Sequence, residues 1–329
     1  MTIVQPTACK STAICILGMH RSGTSSVARA INLLGAYLGK DVKVCGRGPD
    51  NPEGFWEHSD ICALQGRVLA GLNRTWDTAV PLPYQWHRSA AARSFSDELK
   101  KLVASDFAGR PLWAWKDPRT CLLMPLWRDV LEELETRLLC VFVVRNPIDV
   151  THSLNKRDPI AFNKALGVWL NYCIAALDDT AGLPTVFLNY DRFLLSWESE
   201  MRRCTTVLGL DWPADEQRLR EAMNSFIRPE LCHNHSALTQ LQNAPGPVQE
   251  LYQILVDASA RATVRDEHFD ETVNRLSTDF HAYASFFQSD LDASAVRWPY
   301  LKRTWRRWQK SFRKRLPLAP GEIIAQPGD

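Results

Sequence analysis

The sequence predicts an α/β protein of P-loop type, a three-layer fold in which a central parallel sheet is flanked by helices, with a basic amphipathic helix added near the C-terminal end. Three observations carry this. Short apolar runs suited to buried strands alternate with segments of helical periodicity. A turn that begins and ends in glycine, Gly18-Met19-His20-Arg21-Ser22-Gly23, separates the first such strand from the first such helix. Late in the chain the pattern changes: 214–290 reads as helical, and 296–316 holds nine Lys and Arg residues and no acid.

Residues 1–12 read as an N-terminal extension, followed by one large domain over 13–290. Ala13 to Leu17 has the composition of a buried parallel strand, and Ser22 to Leu34 places Val27, Ala30, Ile31 and Leu34 at helical spacing before Gly35. A strand, a tight turn and a helix N-terminus aim several backbone N–H groups and the positive end of a helix dipole at one point, which suits a phosphate. Ala36 to His58 is long and rich in Gly, Pro and Asp, a candidate substrate loop. Its Gly46-x-Gly48 neither follows a strand nor opens a helix, which sets aside a dinucleotide reading.

Asp60 to Leu72 reads as a helix, and Trp76 to His87 as an irregular aromatic stretch, either part of an acceptor wall or a loop packed on the core. Ser94 to Phe107 and Leu122 to Leu134, the second despite Pro125, read as helices. Leu112 to Trp115 and Leu138 to Val144 read as strands. Asp158-Pro159 is predicted to open a helix running through Trp169 to about Ala181, with an acid as N-cap and proline in the first turn. Thr185 to Leu188 is the next strand and Asp191 to Leu208 the next helix. Such alternation places a ligand at the carboxyl ends of the strands.

With 329 residues, 45% apolar and 23% charged, the composition is that of an ordinary globular protein. No basic start leads into a long apolar run and no stretch is long enough to span a bilayer, so neither a secretory signal nor a membrane anchor of the Golgi type is expected. The nine cysteines are scattered without a C-x-x-C pair. They read as reduced, buried side chains, predicting a cytoplasmic protein without structural zinc. His233 and His235, two residues apart, are poorly spaced for a metal pair on a helix.

The turn has the spacing of a nucleotide loop, Gly18-x-x-x-x-Gly23-Thr24-Ser25, with Thr24 where a Walker loop has lysine. The positive charge sits instead at Arg21. A magnesium-dependent kinase also needs an acidic strand end, whereas the later strands end in Val144-Arg145-Asn146-Pro147 and Leu188-Asn189-Tyr190-Asp191. The loop therefore reads as a cradle for a phosphate-bearing nucleotide handled without metal.

Arg21-Ser22-Gly23-Thr24-Ser25 resembles the 5′-phosphosulfate loop of the sulfotransferases that use 3′-phosphoadenosine 5′-phosphosulfate (PAPS): a basic residue, Ser-Gly-Thr, then Thr or Ser. Arg145-Asn146-Pro147, with Ser153 eight residues after the arginine, resembles the 3′-phosphate motif of the same family. The stretches Asn51-Pro52-Glu53-Gly54-Phe55-Trp56-Glu57 and Trp115-Lys116-Asp117-Pro118-Arg119 look like its bacterial-type branch. The resemblance spans roughly residues 12 to 260 and thins beyond.

The resemblance implies sulfuryl transfer to a hydroxyl by in-line displacement, with PAPS as co-substrate and no metal. It puts the backbone of Arg21 to Ser25, with the Thr24 and Ser25 hydroxyls, on the 5′-phosphate, and Arg145 and Ser153 on the 3′-phosphate. Arg21 would meet the leaving oxygen. Cytosolic members carry Lys-Thr-His after a strand; here Lys116-Asp117-Pro118 stands there, so Lys116 is kept for charge and the histidine is missing. The base is then Glu57, with His58 and Glu53 behind it. The branch often acts on carbohydrate or glycolipid hydroxyls, and Trp56, Trp76, Tyr84 and Trp86 either stack on a sugar or belong to the core. His152 reads as a structural neighbour of Ser153. A P-loop kinase or phosphotransferase, and a non-catalytic nucleotide-binding protein associated with membranes, are the competing readings.

Against a net charge of +2 for the chain, the nine cations of 296–316 leave the remainder at −7. On a helix begun by Pro299, residues Leu301, Trp305, Trp308, Phe312 and Leu316 form one apolar stripe with most cations opposite. This is the pattern of an interfacial helix on an anionic bilayer, at the inner face of the membrane in a cytoplasmic protein. Docking of the stripe on the catalytic domain is the rival and a nucleic-acid tail a weaker one, so no nucleic-acid partner is expected. Residues 317–329 read as a flexible tail.

Overall fold

The computed structural model describes residues 11–40, 54–227, 241–261 and 265–294. Four strands, β1 (Ser11–Leu17), β2 (Leu112–Lys116), β3 (Thr136–Val144) and β4 (Thr185–Asn189), form one parallel sheet in the order β2-β1-β3-β4. Helices cover both faces, so the fold is α/β, as the alternation predicted. From β1 the chain crosses to β2 on one side and then returns to β3 on the other. The strand order reverses between β1 and β3, where open parallel sheets bind ligands beyond their carboxyl ends.

Alternate residues of each strand feed two cores, because successive side chains point to opposite faces and both faces are covered. Ile14, Ile16, Leu139, Val141, Val143, Val186 and Leu188 pack with α1 (Thr24–Leu33), α7 (Tyr190–Leu195), α8 (Trp197–Leu208) and α9 (Glu216–Phe226). Ala13, Cys15, Leu17, Trp113, Trp115, Cys140 and Phe142 face the larger core. That core is closed by α2 (Ser59–Gly71), α3 (Ala90–Asp106), α4 (Thr120–Glu133), α5 (Pro147–Arg157), α6 (Phe162–Asp179), α10 (Gly246–Ala260) and the first part of α11 (Glu267–Ser294). Trp115 stacks on Trp127 at 4.1 Å and Trp113 on Phe107 at 4.4 Å. Such aromatic pairs add about 0.5–1.5 kcal/mol beyond the area they bury.

The structure corrects two boundaries. The helix expected from Asp158-Pro159 is α6, and a helix the sequence reading did not include, α5, precedes it and begins at Pro147. Asn146 caps it, its side chain accepting from the Ile148 N–H at 2.9 Å. Asp158 ends α5 in an extended conformation (φ −131, ψ 134), as the residue before a proline tends to, and α6 starts only at Phe162. The helix expected over Asp191 to Leu208 breaks at Ser196 (φ −147, ψ 54). Pro245 caps the start of α10, which begins at Gly246, after a non-helical stretch over 242–245.

The chain divides into two units, Met1–Ala282 and Tyr283–Asp329. The basic stripe over 296–316, the tail over 317–329, Glu53, His233 and His235 all lie outside the described residues. Among the described residues no single helix is long and apolar enough to cross a membrane.

Candidate active site

The turn after β1 is shaped by three residues with left-handed or related backbone: Gly18 (φ +140), Arg21 (φ +70) and Gly23 (φ +89). At Gly18 a Cβ would meet the Val143 carbonyl oxygen at 3.1 Å. At Gly23 it would lie 2.2 Å from the Tyr190 ring. The Ser22 N–H closes the turn on the Met19 carbonyl at 3.1 Å, and the Gly18 N–H donates to Cys121 Sγ at 3.2 Å, fastening the loop to α4. Burial pushes the Cys121 thiol up to about 12, so this sulfur is an inert packing atom. Gly23 precedes α1, whose N-terminus has no side-chain cap and no acid in its first turn. A glycine loop leading to an uncapped helix start fits the phosphate expected there.

The two motifs expected to hold phosphate meet at the switch point. Arg145, just past β3, donates from Nη1 to the Arg21 carbonyl at 2.8 Å, and its guanidinium lies over the Tyr190 ring at 5.0 Å. Arg21 in turn donates from Nε to Ser153 Oγ on α5 at 2.9 Å. The structure thus brings Arg21, Ser22, Gly23, Thr24, Ser25, Arg145 and Ser153 into one neighbourhood. Ser22, Thr24, Arg145 and Ser153 are all buried.

Lys116 ends β2, paired in register with Ile16 of β1, and its Nζ donates to Glu57 Oε1 at 2.6 Å. The other carboxylate oxygen of Glu57 accepts from the Cys62 thiol at 3.6 Å. Next to Lys116, Asp117 holds Arg119 through two side-chain bonds of 2.9 and 2.7 Å. His58, expected behind Glu57 as an alternative base, is placed elsewhere: its Nε2 bonds Asp106 Oδ2 at 3.0 Å, and both side chains are 1% exposed. The Gly39 backbone and the Phe107 ring lie against it. His58, Asp60 and Asp106 present ligand atoms within 4.8 Å of one another, the one such grouping among the described residues. Its two buried members are already joined to each other.

Two groups escaped the sequence reading. The stretch after Arg74 is pinned to α6: Asn171 Nδ2 donates to the carbonyls of Thr78 and Val80 at 3.0 and 2.9 Å, and the Tyr172 hydroxyl to that of Trp76 at 2.7 Å. This holds Trp76 against His20, which lies inside the cradle turn, with ring centroids 5.2 Å apart; Tyr172 is 5.8 Å from the same imidazole. Arg157, from the last turn of α5, lies over Trp76 at 5.1 Å. The one sequence signal for His20 was its position between Gly18 and Gly23. His152, beside Ser153, is exposed and packs near Phe162 at 5.9 Å.

No protein-family profile and no curated protein sequence matches the chain. Among solved structures it is similar to the sulfotransferase domain of a Synechococcus olefin synthase, at TM-score 0.42 and 17% identity over 84% of this chain and 97% of that one. A Mycobacterium tuberculosis sulfotransferase gives TM-score 0.40 and 13% identity over 74% and 76%. The sulfotransferase domain from the curacin biosynthetic pathway gives 0.36 and 12% over 83% and 98%. At these scores the likeness carries no functional weight.

Proposed function

We propose that the chain transfers a sulfuryl group from PAPS to a hydroxyl of an acceptor, a carbohydrate or glycolipid, without a metal. The supporting observation is the convergence of two distant motifs: the Arg145 guanidinium, from the 3′-phosphate motif, hydrogen-bonds the backbone of Arg21 in the 5′-phosphosulfate loop. In this reading the loop from Arg21 to Ser25 holds the 5′-phosphate, and Arg145 with Ser153 holds the 3′-phosphate. When bound, PAPS supplies an activated sulfuryl group on a phosphate leaving group. Arg21 and Lys116 neutralise the charge that develops there, and preorganised donors of this kind are worth about 3 to 4 kcal/mol each. Glu57 has two roles compatible with its Lys116 contact: taking the hydroxyl proton, or fixing the ammonium.

The test is thermal unfolding with the product nucleotide, 3′-phosphoadenosine 5′-phosphate (PAP), in the absence of magnesium. At 100 times its dissociation constant a ligand of the folded state adds about 2.7 kcal/mol. Arg145→Ala should abolish the preference for PAP over adenosine 5′-phosphate. Stabilisation by ATP with magnesium but not by PAP would sink this function and favour a phosphotransferase.

A further inference from the structure

We infer that His20 is the proton acceptor of the reaction, taking the acceptor hydroxyl's proton on its imidazole, with Glu57 serving to position Lys116. This rests on the sulfuryl-transfer reading. His20 sits in the cradle turn itself, one residue before Arg21, so it borders the place where the transferred group would lie. Its Nε2 is buried and has no hydrogen-bond partner among the described residues. A buried polar atom left unpaired is costly, and in a native structure it asks for a reason. Neither aromatic neighbour supplies one: the Tyr172 hydroxyl is committed to the Trp76 carbonyl, and Trp76 packs in a near-perpendicular, T-shaped contact at 69°. Glu57 is in the opposite condition, with its oxygens engaged by Lys116 and Cys62.

The surroundings set the charge state. Burial, and then the cations Arg157, Arg119, Lys116 and Arg21, hold His20 well below the ordinary histidine range, so the imidazole is neutral and able to accept a proton. Arg119 and Lys116 bring their own counter-charges, Asp117 and Glu57, and Arg157 is paired with Asp158. A nucleotide carrying several negative charges beside Arg21 would offset these cations and raise the imidazole toward the working range of a base. The step balances: the hydroxyl oxygen forms a bond to sulfur, the sulfur–oxygen bond to the 5′-phosphate breaks with its electron pair going to the phosphate, and the hydroxyl proton passes to His20 and on to water.

The experiment uses the full chain with labelled histidines, the His20 signals being assigned by their loss in His20→Gln. Nuclear magnetic resonance should show a neutral His20 at pH 7 in the free protein and an upward shift in its titration on adding PAP. Protonated His20 at pH 7, or a titration that PAP leaves unmoved, overturns the inference. Hydrolysis of PAPS, with water as the acceptor and PAP counted by chromatography, gives the second readout. His20→Gln should lower the rate by about 100-fold, the scale of a lost general base. It should also erase the acid limb of the pH–rate profile while keeping the PAP-induced thermal shift. In Glu57→Gln that limb should persist. The inference fails if the limb survives in His20→Gln or disappears only in Glu57→Gln, or if wild type hydrolyses PAPS no faster than buffer does. Absence of any PAP shift in all three proteins would remove the sulfuryl-transfer reading instead.

Discussion

At Gly23 the cradle depends on the absence of one carbon atom. With φ at +89 and a would-be Cβ 2.2 Å from the Tyr190 ring, an alanine is strained by its backbone and obstructed by its surroundings. Left-handed backbone on a non-glycine residue costs about 1–3 kcal/mol before the clash is counted. Tyr190 also lies under the Arg145 guanidinium, so displacing the ring disturbs that arginine, the one proposed to hold the 3′-phosphate, as well. Gly23→Ala should therefore lower the melting temperature by several degrees and remove the PAP-induced shift. A folded Gly23→Ala protein with the wild-type PAP response would show that the cradle does not bind the nucleotide. Arg21 stands in the left-handed region too, and the strain is tolerated where its carbonyl accepts from Arg145 and its side chain reaches Ser153.

At the scale of elements, α5 and α6 carry more than packing. The start of α5 is fixed by Asn146 and Pro147, and this sets Ser153 beside Arg21; its last turn delivers Arg157 to Trp76. The end of α6 carries Asp178 and Asp179 together. Burial and then the neighbouring Asp178 charge push the Asp179 carboxyl up to about 7. A carboxyl raised in the folded state binds its proton more tightly there than in the unfolded chain, so its contribution favours the fold at low pH and is lost as pH rises from about 4 to about 7. Asp179→Asn should accordingly raise the melting temperature at pH 8 and change it little at pH 4. Thermal scans of both proteins at the two values decide this, and an equal effect at both would exclude the titration as its cause.

For the whole molecule, the sheet makes the site. The two motifs proposed to hold phosphate follow the two strands between which the strand order reverses, and Lys116 ends the strand on the other side of β1. The charge asymmetry of the sequence adds a separate expectation for the C-terminal segment. Near an anionic surface each Lys or Arg contributes about 1 kcal/mol, so a chain ending at Ala295 should lose co-sedimentation with anionic vesicles at low salt while retaining the PAP-induced thermal shift. Equal binding by both chains, or binding by neither, would discard the membrane surface as a partner.

The sequence by itself determined the α/β class, the four strands, the cradle turn and the position of Arg145 after β3. These follow from local causes: apolar periodicity, the glycines of a turn, and the short range over which caps and prolines act. It passed over α5, which Asn146 and Pro147 open, and set the start of α6 at Asp158-Pro159 although the residue before that proline is extended and the helix begins only at Phe162. The tertiary structure alone decided the partners. Lys116 and Glu57 are 59 residues apart, His58 and Asp106 48, and Arg21 and Ser153 132. Glu57 and His58 are neighbours in the chain, yet one meets a lysine at the end of an edge strand and the other is sealed against α3. His20 looked like one more loop residue until α6 held Trp76 against it. No local pattern encodes such pairings, because they depend on which helix faces pack together around the sheet.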